Sequence, residues 1–176
     1  MSLDVDTIKT LLDVLAQKFD DNFILTGSLA DHLHIGFADI NDIDIFMEEK
    51  IFSHYKHKLA EQPTLFFMKA FVGVRTNIGT SLHKYAYNNH IIDISIINPE
   101  TYGWRYGTIR KETLDDTEIV DKQLFGKTYK VFAPIVRFHQ LASHNYKRSH
   151  PNYLEKVAKA NMRAEQYKKM LGLNET

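Results

Sequence analysis

The sequence predicts an α+β domain: a mixed or antiparallel sheet, flanking helices and a helical C-terminal part. Three observations lead there. Helix-period segments alternate with short apolar runs between residues 5 and 61. Three β-rich runs follow one another between residues 65 and 97. Two proline-opened stretches with helical character close the chain.

Val5, Ile8, Leu12, Leu15 and Phe19 recur at gaps of three and four, with Leu11 beside them, so residues 5–19 read as an amphipathic helix. Asp20-Asp21-Asn22 ends it, and Phe23 to Thr26 reads as a short buried strand. Ser28 is placed to cap a helix over Leu29 to Ile35, closed by Gly36. A polar loop leads to a strand over Asp42 to Met47, then a helix from about Ile51 to Glu61, stopped by Pro63. Leu65 to Val74 and Ser81 to Tyr87 read as strands. Asn88-Asn89 is a tight-turn signal before the very apolar strand Ile91 to Ile97, which Asn98-Pro99 closes. Tyr102 to Gly107 is aromatic and irregular. Gly126 sits in a turn before a last strand, Lys127 to Ala133. Pro134 opens a helix to about Tyr146 and Pro151 another to about Leu171.

With 176 residues and no repeat or long linker, the chain reads as a single domain over 1–176, its core at about 20–100 and a C-terminal strand and helices at about 127–172. Hydrophobic residues make up 44% and charged residues 25%, as in ordinary soluble domains. The 22 basic and 22 acidic residues cancel, which argues against a long nucleic acid or an anionic membrane as partner. Lys147 and Arg148, with Lys156, Lys159 and Arg163, form the best candidate for a local basic patch. The absence of cysteine excludes disulfides and thiolate metal sites. The opening MSLDVDTIKT is unlike a signal peptide, and no apolar run approaches the ~18 residues of a membrane span, so a cytoplasmic protein is expected.

The segment Gly27 to Phe46, GSLADHLHIGFADINDIDIF, carries most of the functional information. On a strand, Asp42 and Asp44 emerge on one face and Ile43 and Ile45 on the other. Two adjacent carboxylates repel and resist desolvation unless a cation or proton lies between them. Hard divalent ions such as Mg²⁺ take such ligands, usually alongside substrate phosphates. A third carboxylate, Asp93, interrupts the apolar run Ile91 to Ile97, where it must ligate or pair if buried, or else face solvent with Ser95 beside it. Gly27-Ser28 alone reads as a strand-to-helix turn with an N-cap.

Taken in order, Thr26-Gly27-Ser28, thirteen residues, Asp42-Ile43-Asp44-Ile45 and a later Asp93 resemble the nucleotidyltransferase superfamily over roughly residues 20 to 97. The resemblance implies a polymerase-β-like palm with a mixed sheet and three carboxylates at one end. It implies Asp42, Asp44 and Asp93 as catalytic residues holding Mg²⁺ (or Mn²⁺), and Gly27 and Ser28 as the turn that contacts an NTP triphosphate, ATP among the candidates. The segment around Lys147 and Arg148 is similar to a basic helix end that faces phosphates in several small members. His150-Pro151-Asn152 departs from the acidic residue often found next. The implied reaction passes a nucleoside monophosphate to a hydroxyl of a small molecule or protein side chain. Choline-phosphate or sugar-phosphate transfer, and a non-catalytic palm of toxin–antitoxin type, are the alternatives.

Other candidates read as structural. Asp39 is expected to be solvated or capping. The nine histidines, including the pairs His32/His34 and His54/His57, lack zinc spacing. Tyr102, Trp104 and Tyr106 with Arg105 suit core packing better than base stacking.

Overall fold

The computed structural model describes residues 2–60, 65–72, 81–97, 104–106, 109–111, 116–142 and 151–173. Helix α1 (Val5–Phe19) buries Ile8, Leu11, Leu12, Leu15 and Phe19, the stripe its periodicity predicts. Asp4 caps it by accepting from the Thr7 backbone N–H at 2.7 Å, and Asp20 ends it in the left-handed conformation. After β1 (Ile24–Leu25) comes α2 (Gly27–Ile35), then β2 (Ile43–Glu48), which passes directly into α3 (Glu49–Ala60). Strands β3 (Leu65–Val72), β4 (Ser81–Tyr87) and β5 (His90–Ile97) follow, with Asn88 and Asn89 both at positive φ in the turn between the last two.

β6 (Trp104–Tyr106) and β7 (Ile109–Lys111) form a small hairpin where the sequence reads as irregular. β8 (Ile119–Leu124) is a further strand that the sequence reading did not anticipate. It pairs with β9 (Lys127–Phe132) across a turn at Phe125-Gly126. Helices α4 (Pro134–Ala142) and α5 (Tyr153–Met170) complete the chain.

Seven strands form one mixed sheet in the order β3-β4-β5-β2-β1-β9-β8. β2 runs parallel to β5 and β1 parallel to β9; the other pairs are antiparallel. The α+β class expected from the sequence is therefore the class observed.

The sheet has an apolar core on each face. Ile43, Ile45 and Met47 of β2 and Ile92, Ile94 and Ile96 of β5 pack with the α1 stripe and Phe52 of α3. Residues of opposite parity on β2 turn the other way, where Phe46 meets Phe132, Ala133 and Val136 beside α4. The period-two alternation thus sends the isoleucines to one side and the aspartates to the other. No helix among the described residues is long and apolar enough to cross a membrane.

Candidate functional site

The site forms where the central strands meet the start of α2. Asp44 on β2 lies directly opposite Asp93 on the parallel neighbour β5, and Asp42 stands immediately before β2. Each of the three offers a carboxylate oxygen, all within 4.8 Å of one another, and no other such acidic or histidine cluster occurs among the described residues. Asp93 is buried and Asp42 and Asp44 are half-buried. The solvent-facing alternative for Asp93 is excluded.

Crowding three carboxylates has an electrostatic consequence. Burial, with Asp93 next, raises the Asp42 carboxyl above the usual range, against the opposing fields of Lys84, Lys156 and Arg163. Burial pushes Asp44 up to about 8, reinforced by Asp42 and Asp93. Such a cluster relaxes when a cation enters.

Lys84 of β4, which the sequence reading passed over, places its ammonium on Asp93 Oδ2. The remaining oxygen, Asp93 Oδ1, is buried without a hydrogen-bond partner among the described residues. An oxygen-only donor set, a buried carboxylate oxygen without a partner among the described residues, and two carboxyls raised by burial and by their neighbours fit a hard divalent cation such as Mg²⁺ or Mn²⁺.

The Gly27-Ser28 turn abuts this cluster. Gly27 has a φ of +62°, and a β-carbon on it would lie 1.8 Å from Asp44 Oδ2. The Thr26 backbone N–H donates to the Asp44 carbonyl at 3.0 Å, tying the turn to β2. Ser28 is not the N-cap predicted for α2. The helix starts at Gly27, at a φ of +62°, with Thr26 in the cap position and no side-chain cap bond. The Ser28 hydroxyl is instead buried with no hydrogen-bond partner among the described residues.

Behind the turn lies a buried charge network that sequence reasoning missed. Arg137 of α4 grips Asp31 of α2 with two bonds, Nε to Oδ1 at 3.0 Å and Nη2 to Oδ2 at 3.1 Å. The same guanidinium donates to the Thr26 hydroxyl at 3.2 Å, to the Gly27 carbonyl at 3.2 Å and to Gln140 Oε1. From α5, Arg163 donates to Asp31 Oδ2 at 2.8 Å and the Tyr167 hydroxyl to Oδ1 at 2.9 Å. Asp31 is fully buried. Burial works to raise its carboxyl, and the Arg137 and Arg163 charges with these hydrogen bonds overcome that and hold it below the ordinary value. The signal was an arginine inside the apolar helix segment Ile135-Val136-Arg137-Phe138, where a charge needs a partner.

Other expectations resolve simply. Asp39 is half-exposed, accepts from Asn41 at 3.1 Å and pairs with Lys159 at 2.7 Å. Lys159 and Arg163 are thus committed to Asp39, Glu155 and Asp31. His32 and His34 donate to the carbonyls of Phe37 and Phe132 at 2.9 and 2.8 Å. Lys147, Arg148 and Tyr102 lie outside the described residues.

Solved structures share this fold. ANT(2")-Ia in complex with adenylyl-2"-tobramycin matches with a TM-score of 0.55 at 10% identity, over 94% of this chain and 99% of that one. An antigenic nucleotidyltransferase-like protein from Paracoccidioides brasiliensis gives 0.57 at 14% identity, over 97% of this chain and 79% of that one. A solution structure of the antibiotic-resistance factor ANT(2'')-Ia gives 0.54 at 11% identity, covering 96% and 92%. The chain therefore has the nucleotidyltransferase-superfamily fold that its motif order resembles. No protein-family model matches the sequence, and no curated protein matches it.

Proposed function

We propose that this chain is a divalent-metal-dependent nucleotidyltransferase. The observation that carries the reading is the convergence of Asp42, Asp44 and Asp93, from two adjacent parallel strands, beside the Gly27-Ser28 turn on a nucleotidyltransferase fold. The acceptor hydroxyl oxygen attacks the α-phosphorus of an NTP, the α–β phosphoanhydride bond breaks, and pyrophosphate leaves with that electron pair.

Asp42, Asp44 and Asp93 hold Mg²⁺ or Mn²⁺. When bound, such an ion supplies Lewis-acid stabilisation of the charge that builds on the attacking and leaving oxygens. The Ser28 hydroxyl, buried and without a partner among the described residues, donates to a phosphate oxygen of the NTP. The N-terminal end of α2 adds its dipole to the same anion. Asp93 also takes up the acceptor's proton. Lys147 and Arg148 are proposed as further phosphate contacts. A neighbour seen with an adenylylated acceptor supports NTP donor chemistry, with ATP as the first donor to try. Zero formal net charge supports a small molecule or protein side chain as acceptor rather than a long nucleic acid.

The test is to incubate the protein with each of the four α-labelled NTPs, Mg²⁺ and cell extract. Label should move to a discrete acceptor, and both Asp42→Asn and Asp44→Asn should abolish the transfer. Nucleotide binding without transfer of label from any of the four would point instead to a non-catalytic palm.

A further inference from the structure

Lys84, Asp93 and Asp44 form one cross-strand row. β4 pairs antiparallel with β5, Lys84 opposite Asp93, and β5 pairs parallel with β2, Asp93 opposite Asp44. Directly opposed residues project from the same face, so sheet register alone delivers a lysine to the carboxylate cluster. The contact is no loose surface pair: the Asp93 side chain is 9% exposed and that of Lys84 only 25%. The ammonium takes one oxygen of Asp93, and the other has no hydrogen-bond partner among the described residues. Among the described residues in direct contact, three ionised carboxylates and one ammonium sum to a charge of minus two, which a single divalent ion neutralises, while Lys156, Arg163 and Arg137 add positive field from outside the contact.

We propose that Lys84 is a resident cation of this site, holding Asp93 Oδ2 and thereby limiting the nucleotide-free protein to one tightly bound divalent ion. The inference rests on reading the three aspartates as metal ligands and adds that the third is shared between a metal and a lysine. Lys84 acts through Asp93 and is a positioning residue. It fixes which oxygen of Asp93 faces the pair and opposes a second divalent ion by charge repulsion until another anion, such as a triphosphate, enters. An exposed lysine–carboxylate pair does little, because water screens it. This one lies where Asp93 is desolvated and two further carboxylates are near, so its charge is felt by anything that binds there.

The experiment is a Mn²⁺ titration of the nucleotide-free, full-length protein, reading free Mn²⁺ by electron paramagnetic resonance. Wild type should bind one ion tightly and a second only weakly. Lys84→Met should bind the second ion at least about tenfold more tightly, since a charge beside it has been removed. Lys84→Arg should restore the wild-type pattern. Should the Met variant fail to fold by circular dichroism, Lys84→Gln, which keeps a donor to Asp93 without the charge, is read the same way. Identical isotherms for wild type and the neutral variants, or an Arg variant that behaves like them, would overturn the inference. Wild type that binds no Mn²⁺ and matches Asp44→Asn would overturn the metal reading itself, and this inference with it. Loss of the first ion in Asp44→Asn alongside an unchanged Lys84→Met isolates the failure to Lys84.

Discussion

The Asp44 side chain fills the space where a Gly27 β-carbon would stand, 1.8 Å from Oδ2. The family resemblance implies that Gly27 belongs to a turn that contacts phosphate. The structure adds a nearer reason for the glycine, since the turn must pass against a metal-ligand candidate. Gly27→Ala must move either the turn or Asp44, and it also meets the left-handed backbone penalty of about 1–2 kcal/mol. The expected outcome is loss of the stabilisation that Mg²⁺ plus NTP confers, with the variant still folded. An unchanged ligand-induced shift in Tm would show that Asp44 has room to retreat.

Ser28→Ala separates recognition from folding. Because the buried Ser28 hydroxyl has no cap bond or other partner among the described residues, removing it should leave stability unchanged or slightly raised. NTP affinity should fall by about 1–3 kcal/mol, the range for a lost hydrogen bond to a charged group. Calorimetric titration alongside a melting curve checks both halves. A destabilised variant with normal binding would return Ser28 to a purely structural role.

Asp44 predicts a pH dependence opposite to that of a salt-bridged carboxylate. Its carboxyl is raised from 3.8 to about 8, with Asp42 raised as well, so the metal-free native state keeps protons that the unfolded chain has released. The unfolded state therefore binds fewer protons across that window, and these groups' contribution to stability declines as pH rises from about 4 to about 8. In EDTA, Asp44→Asn should gain on the parent over the same interval, each kcal/mol appearing as roughly 2–4 °C in Tm at this chain length. With saturating Mg²⁺ and NTP the order should reverse, since only the parent is stabilised by ligand. A Tm difference in EDTA that stays constant with pH would mean that Asp44 ionises normally.

Arg137→Met leaves Asp31 buried and short of its main partner, which costs about 3–5 kcal/mol when one side of a buried ion pair is lost. Urea unfolding should show it. Asp31→Asn combined with Arg137→Met should recover part of the loss, because no full charge is then stranded on either side of that pair. A double variant worse than the sum of the singles would mean that Asp31 relies chiefly on Arg163 and Tyr167.

The parts of this molecule legible in the sequence are those written in local periodicity. The gaps of three and four in α1 and the alternation of Ile and Asp through β2 fix which face each residue takes, whatever packs against it. Asp93 stood out because a charge in an apolar run demands a reason. Lys84 did not, because a lysine in the half-polar segment SLHKYAY is ordinary until sheet register sets it opposite Asp93. The Asp31–Arg137 pair spans 106 residues, and no local pattern encodes a contact of that range. β8 escaped for another reason: its IVDKQL is an edge strand, half polar and partly exposed, without the long apolar run that marks a central one. Ser28 is a good capping type by composition, and nothing local tells that neither its hydroxyl nor that of Thr26 makes the cap bond.

The grip of α4 and α5 on Asp31 also bears on how this chain can be cut and recombined. The three carboxylates belong to its first hundred residues, yet the turn beside them hangs from a guanidinium contributed by residue 137. A fragment ending before α4 would keep all three carboxylates and leave Asp31 buried without Arg137, Arg163 and Tyr167 beneath the Gly27-Ser28 turn. Grafting a different helical tail onto the same palm would work only if the tail brought an arginine to that spot.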